Sequence, residues 1–298
     1  MIAHPTAAGK AKAGRGCASI AAVSSGTMRG WRRAPYTLFR GAARALELAG
    51  RASMYLAAGT LRLHDLRGAI TNSWEEFGRS ESMILSGLMS WEESLYGRFL
   101  KPADRILVVG CGTGRDLIAL LKLGYHVDGI DAAPRAIALA CHMLEREGLH
   151  AELSTGRIET VTLQGSYDAV IFSWFCYGYI PQADTRIGVL RKLKPYLNPG
   201  GRILISYIPA ELPPRSLPIR LTRVVGRLTR SDWRPQLGDV VGPAAGDWQR
   251  IHYEHQFVEG ELEEETRAAG LTVVFHDRGD GTAVLTANAE TRSQVDCL

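Results

Sequence analysis

Gly110, Gly112 and Gly114 stand at alternate positions in the stretch VVGCGTGRD, directly after an apolar run, and Arg115 and Asp116 follow them. Glycines so placed let a backbone approach a ligand with no Cβ in the way. A phosphate-binding P-loop needs Gly-Lys-Ser/Thr at its end, and here Gly114 is followed by Arg115 and Asp116. A dinucleotide loop needs G-x-G-x-x-G, and the place of its third glycine is held by Arg115. An aspartate in the first turn of the next helix would also repel a pyrophosphate from the positive helix end. A ligand with a cationic amino-acid end suits the loop better, with Asp116 near its ammonium.

The elements around the loop alternate. RILVVG reads as a buried strand, RDLIALLKLG as a helix closed by Gly124, and YHVDGID as a second strand. APRAIALACHMLEREG reads as a helix with Pro134 in its first turn and Gly148 at its end. AELSTG, YDAVIFS and RILISY supply three more strands, with ADTRIGVLRKLKPYL as the helix before the last of them. Such alternation implies an α/β fold with a mostly parallel sheet and helices on both faces. Asp280-Gly281 is a tight-turn signal, so the last two strands are expected as an antiparallel hairpin.

Two regions fall outside this rhythm. Between residues 29 and 100 the spacing predicts a helical N-terminal cap. One helix begins near Pro35, with Arg40, Arg44, Glu47 and Arg51 on one stripe and Leu38, Phe39, Ala42, Leu46 and Ala49 on the other. A second helix is expected over residues 81–100. After the fifth strand, residues 211–250 are rich in proline and glycine and hold one basic amphipathic helix. Its Leu221, Val224, Val225 and Leu228 oppose Arg220, Arg223, Arg227 and Arg230.

The segment RILVVGCGTGRDLIALLKLGYHVDGIDAAPRAIALA resembles the cofactor site of class I S-adenosylmethionine-dependent methyltransferases. The resemblance continues through GSYDAVIFSWFCYGYIP, LKPYLNPGGRILISY and the C-terminal hairpin. It implies a Rossmann-like methyltransferase domain over residues 101–290, with an insertion or lid at about 211–250. It implies S-adenosyl-L-methionine as cofactor and methyl transfer by in-line displacement, for which a small molecule is the expected acceptor. Gly110, Cys111, Gly112 and Gly114 would line its methionine and ribose parts. Asp131 would accept both ribose hydroxyls, which a carboxylate can do at once. Ala132, Arg157 and Ile158 would flank the adenine, and Ser173 and Trp174 would lie at the edge nearest the methyl group. Two departures stand out. Val108 occupies a position where the family often has an acid, so Asp116 would serve the ammonium. Arg157 replaces an acid after the third strand, which leaves the adenine to backbone groups and Ile158.

The resemblance leaves the acceptor side open. Tyr177 and Tyr179, in FCYGY after the fourth strand, are candidates for hydrogen bonding or shaping the acceptor pocket. His252 and His255, in the loop IHYEHQF before the last helix, are candidate general bases. The basic helix near 219–230 is expected to cover the acceptor site. Its second use would be peripheral contact with an anionic lipid surface, which suits a hydrophobic or lipid-like acceptor. Ser173-Trp174-Phe175-Cys176, at the place of the Asn/Asp-Pro-Pro-aromatic motif of exocyclic-amine DNA methyltransferases, argues against DNA as the acceptor. An RNA methyltransferase, or a protein that binds the cofactor without transferring methyl, are the alternatives.

The bulk of the sequence agrees. The chain has 298 residues and a net charge of +4, which does not by itself call for nucleic acid. No acid precedes Glu47, so residues 1–28 read as a flexible basic tail, and residues 291–298 as a second tail. Cys17, Cys111, Cys141, Cys176 and Cys297 form no CxxC pair and no zinc-like cluster, so no metal is expected and a reducing cytoplasm is the expected compartment.

Overall fold

The computed structural model describes residues 30–211, 216–244 and 247–287, so the tails expected at 1–28 and 291–298 lie outside the described residues. The N-terminal part folds as α1 (Gly30–Ala58), α2 (Leu63–Glu75), the single turn α3 (Glu81–Ile84) and α4 (Ser90–Phe99). The one helix expected over 81–100 is thus two, parted by a segment in which Gly87 takes φ 81°. Nothing in the apolar spacing announces α2. Its sequence LHDLRGAITNSWE fully buries only Leu66 and mixes small and charged residues elsewhere.

The alternating region then runs β1 (Arg105–Val109), α5 (Arg115–Lys122), β2 (His126–Asp131), α6 (Pro134–Arg146), β3 (Leu153–Thr155), β4 (Tyr167–Phe172), α7 (Ala183–Leu193) and β5 (Leu197–Ser206). Next come β6 (Ile208–Pro209), α8 (Ser216–Leu228), β7 (Asp239–Ala244), β8 (Asp247–Phe257), α9 (Glu261–Ala268), β9 (Thr272–Asp277) and β10 (Thr282–Thr286). The main sheet has seven strands in the order β3-β2-β1-β4-β5-β10-β9. The first five are parallel, and β10 is antiparallel to both β5 and β9.

Burial explains the central strands. Leu107 and Val109 join Val170, Phe172, Ile203 and Ile205 in the core on one face. Ile106 and Val108 join Ala169, Ile171, Leu204 and Val284 on the other. Strands covered on both faces read as unbroken apolar runs, as RILVV does. The hairpin turn needs Gly281, whose φ is 63° and where a Cβ would collide with the carbonyl oxygen of Tyr207.

The insertion differs from expectation. Residues 251–257, read as a loop, belong to β8, which pairs antiparallel with β7 from Asp239↔His255 to Pro243↔Ile251. Together with β6 they make a three-stranded sheet, β6-β8-β7. Tyr253, His255 and Phe257 are buried while His252, Glu254 and Gln256 are half-buried. That is a period of two, disguised because one inward residue is a histidine. Trp233, Val241 and Tyr253 pack with Ala58 and Leu66 in a small separate core that joins the insertion to α1 and α2.

The expected packing faces of the two amphipathic helices are also corrected. On α1, Leu38, Phe39 and Leu46 are 69%, 71% and 73% exposed. The helix docks instead through its C-terminal end, where Thr222 donates to the Tyr55 carbonyl at 3.0 Å and Thr229 to that of Gly59 at 3.0 Å. On α8 the buried residues are Ile219, Thr222 and Gly226, and Gly59 makes the close approach, since a Cβ there would lie 2.6 Å from both the Thr222 carbonyl oxygen and Val225 Cβ.

Candidate functional site

The order of the sheet reverses between β1 and β4, and ligands of open α/β sheets bind outside the strand ends at such a point. A cavity of about 1080 Å³, counting its mouth, opens there. Gly110, Cys111, Gly112 and Asp116 line it from the β1 end, Asp131 and Ala132 from the β2 end, Arg157 and Ile158 from the segment after β3, and Ser173 and Trp174 from the β4 end. These residues, picked from separate stretches of sequence, share one cavity.

The loop that starts it is tightly held. The N–H groups of Gly110 and Cys111 both donate to the Ile130 carbonyl, at 2.8 and 3.2 Å. Gly110 has φ 74°, and a Cβ there would lie 2.8 Å from Cys176 Cβ and Sγ, so no other residue fits without rearrangement. A Cβ on Gly112 would meet nothing within 4 Å, so the loop presents open space above its backbone. Asp131 holds the loop from below. Its Oδ2 accepts from Gly112 N–H and its Oδ1 from Ala133 N–H, both at 2.8 Å. Burial pushes the Asp131 carboxyl upward against the pull of these bonds.

Gly114 is the one member of the predicted loop set that does not line the cavity. It takes φ 93° at the N-cap of α5, where its missing side chain admits Ala140 of α6. The residues after it answer for themselves. Arg115 is 7% exposed and forms a bidentate pair with Glu92 of α4, at 2.6 and 2.5 Å. It also reaches Asp116 Oδ1 at 2.5 Å and stacks its guanidinium 4.7 Å from the Trp174 ring centre. Asp116 in turn accepts a 2.6 Å bond from the Ser173 hydroxyl. Burial first, and the Glu92 carboxylate second, push the Asp116 carboxyl up to about 6. Glu92 carries no local motif that would mark it from sequence.

Part of the N-terminal cap forms the roof. Ile70, Thr71 and Trp74 on α2, Phe77 and Gly78 just after it, and Met83 on α3 lie over the cavity. The roof is stapled down by three side chains. Thr113 donates to the Gly78 carbonyl at 3.0 Å, Arg157 to the Thr71 hydroxyl at 3.2 Å, and Arg67 approaches Glu159 at 3.6 Å. The expected lid does not take part, for α8 contributes no residue to the cavity. Trp74 packs edge-on to Phe77 at 5.0 Å and Tyr179 at 5.1 Å, and Phe77 to Trp174 at 5.8 Å. The cavity therefore has a carboxylate half, Asp116 and Asp131, and an aromatic half. The Trp174 indole N–H is buried and has no hydrogen-bond partner.

The three candidate catalytic residues separate. Tyr177 and His255 are fully buried away from the cavity, which corrects their expected role. Tyr177 donates to Glu265 Oε2 at 2.8 Å. His255 meets Asp239 through Nδ1 at 2.8 Å and Glu261 through Nε2 at 2.9 Å. Two carboxylate acceptors require both ring nitrogens to donate. Burial alone would lower its pKa, but those bonds outweigh it and hold His255 above its ordinary value. A histidine so fixed is a charged clamp and no base. His252, on the opposite face of β8, lines a small pocket with Ser73 and Tyr253. That pocket shares Ile70, Trp74, Phe77 and Tyr179 with the main cavity, and His252 Nε2 lies 3.1 Å from Glu254 Oε2. Among the described residues no cluster suited to a metal ion occurs, and no helix is long and apolar enough to cross a membrane.

Comparison with known proteins bears on the same region. Residues 106–201 match a family described as a methyltransferase domain. A ubiquinone biosynthesis O-methyltransferase of Xanthomonas campestris pv. campestris is 30% identical over 112 residues, 37% of this chain and 45% of that protein. A ribosomal protein L11 methyltransferase of Xanthomonas axonopodis pv. citri is 29% identical over 133 residues, 44% of this chain and 41% of that protein. The chain thus spans less than half the length of these curated relatives. Among solved structures, a SAM-dependent methyltransferase of Methanosarcina mazei covers 67% of this chain and 96% of its own, at 20% identity and a TM-score of 0.50. The CcbJ methyltransferase of Streptomyces caelestis covers 71% and 98%, at 16% identity and the same TM-score. At these identities the structures speak for the shared fold.

Proposed function

We propose, from the premise that residues 106–201 place this chain among the class I S-adenosylmethionine-dependent methyltransferases, that it transfers a methyl group to a hydrophobic small molecule. The observation that carries this reading is the division of one cavity into a carboxylate half and an aromatic half. The residues present fit the cofactor. Gly112 leaves backbone open to a ligand, and the two carboxylates suit a ligand with an ammonium and a ribose diol. The cations lining the cavity are committed elsewhere, Arg115 to Glu92 and Asp116 and Arg157 to Thr71, so little is left to hold a pyrophosphate.

In this reading Asp131 takes the ribose hydroxyls on the lone pairs that Gly112 and Ala133 leave free, since a carboxylate has about four acceptor sites. Ala132 and the buried Ile158 seat the adenine. Asp116, backed by Ser173, faces the ammonium. The cofactor supplies a methyl group already activated on a sulfonium. The chain's own task is therefore to align the acceptor and keep water out. Trp74, Phe77, Trp174 and Tyr179 serve both ends, since flat apolar walls orient an aromatic or lipid-like acceptor and exclude water. His252, paired with Glu254, is the residue placed to take a proton from an acceptor hydroxyl or amine that reaches past Tyr179.

Two tests follow from these roles. Asp116 must be ionised to meet an ammonium, and its carboxyl stands at about 6. A raised pKa means that the folded chain holds this proton more tightly, so the charged form gains ground only as pH rises. Cofactor affinity should therefore fall as pH drops below 6, approaching at most about tenfold per pH unit. Asp116→Asn should bind weakly at pH 7.5 and lose that dependence, as calorimetry with S-adenosylmethionine from pH 5 to 8 would read. His252→Ala should keep cofactor affinity and lower kcat by about 10²–10⁴ if a proton must be removed. Release of S-adenosylhomocysteine across a set of phenols, hydroxylated lipids and amines measures it. Binding of NAD in place of S-adenosylmethionine, or no turnover with any acceptor, would overturn the assignment.

A further inference from the structure

The cap exposes its large apolar side chains in an ordered way. On α1 every residue from Arg33 to Ala49 is exposed. At 100° per residue, Leu38, Phe39, Ala42, Leu46, Ala49 and Leu56 fall in one sector of this helix. Arg33, Arg40 and Arg44 lie on the opposite face, the arrangement of a basic amphipathic helix. The C-terminal turns that dock α1 onto α8 do so through Tyr55, Ala58 and Gly59, on another side from the apolar stripe. On α8, Leu217, Val224 and Leu228 are 65%, 52% and 79% exposed. They lie along one stripe opposite the buried Ile219, Thr222 and Gly226, and the exposed Arg220 and Arg227 flank them. A helix that folds with its apolar stripe turned outward gains nothing from the protein core for that stripe.

Charge narrows what can cover it. The sequence of α1 contains five arginines and one glutamate, and that of α8 three arginines and no acid. A second copy of the chain would bring the same arginines against these. Residues 1–29 contain Lys10, Lys12, Arg15 and Arg29 and no acid, so they too meet like charge. A nucleic acid would satisfy the arginines and leave leucine and phenylalanine in water. The boundary between anionic headgroups and acyl chains takes both kinds of side chain at once.

We propose that α1 and α8 seat this protein on an anionic lipid bilayer, with the apolar stripes at the acyl boundary and the arginines on lipid phosphates. The inference stands apart from the proposed reaction and does not depend on it. It is tested by flotation of the full chain with phosphatidylcholine vesicles, with and without phosphatidylglycerol. Flotation should require phosphatidylglycerol and weaken at least about tenfold on neutral vesicles, and weaken likewise in high salt. The pairs Leu38→Glu with Leu46→Glu, and Leu217→Glu with Leu228→Glu, should each reduce flotation by at least about tenfold. All four side chains are exposed, so circular dichroism and cofactor affinity should match the native chain and separate lost docking from lost folding. Flotation of neither vesicle type, equal flotation on both, or undiminished flotation of the glutamate variants would overturn the proposal. So would a native dimer that Leu38→Glu converts to monomer in light scattering, since a second copy would then be the occupant.

Discussion

Replacing Asp131 with alanine should weaken S-adenosylmethionine binding by about 100-fold or more, since each hydrogen bond to a charged group contributes about 1.5–3 kcal/mol. The structure adds a second reason. Asp131 also holds Gly112 and Ala133 by their N–H groups at 2.8 Å, so the alanine variant loses the anchor of the loop along with the proposed ribose acceptor. Asp131→Asn keeps an oxygen for one of these donors and should fall between the two. Calorimetric titration of the three proteins gives the order native, asparagine, alanine. An alanine variant with native affinity would mean that the cofactor lies elsewhere. A loss of thermal stability in the absence of cofactor, larger for alanine than for asparagine, would reveal the loop-anchoring part by itself.

Glu265→Ala should cost about 3–5 kcal/mol of stability, which is the usual result of stranding one member of a buried ion pair. Arg186 is fully buried and meets Glu265 through Nε at 3.0 Å and Nη2 at 2.5 Å. The same carboxylate accepts the Tyr177 hydroxyl, so that group is stranded too. Arg186 further approaches Glu261 at 3.5 Å, the residue that holds His255. The network ties α7, α9, β8 and the turn after β4 behind the cavity. Scanning calorimetry should show the transition shifted down by about 10 °C, at roughly 2–4 °C per kcal/mol for a chain of this class. Tyr177→Phe removes a single hydroxyl from the network and should lose far less. If Tyr177 were instead catalytic, that variant would keep its stability and lose turnover, so the pair of measurements separates the two roles.

The fates of Tyr177 and His255 show where sequence reading ends. Both residue types are competent for proton transfer, and both lie in segments bound to pass near the end of the sheet. What removes them from the site is contact with Glu265, Asp239 and Glu261, at separations in sequence of 88, 16 and 6 residues. His252 and His255 look alike in IHYEHQF. Their difference is the strand parity of β8, which turns one toward the aromatic pocket and the other into the interior. The aromatic roof is hidden for a similar reason. Trp74 lies in α2 and Phe77 just after it, a stretch whose mixed composition carries no periodic signal, and they matter because three long-range contacts fasten that stretch over the loop.

The sheet, by contrast, was legible from residues alone. A parallel strand buried on both faces needs consecutive apolar residues, as RILVV and YDAVIF have, while the less apolar HVDGID is marked by the helix after it, with Pro134 at its start and Gly148 past its end. The glycine loop is legible too, because its positive φ values restrict residue type at the positions themselves. The sequence by itself therefore determined the α/β frame, the loop and the strand tips that share the cavity. Tertiary structure decided which carboxylates are committed to buried arginines, which histidine faces the aromatic pocket beside the cavity, and which helix roofs the cavity. Those depend on partners far apart along the chain, and a charge or an aromatic ring acquires its role only from the partner that meets it in the folded state.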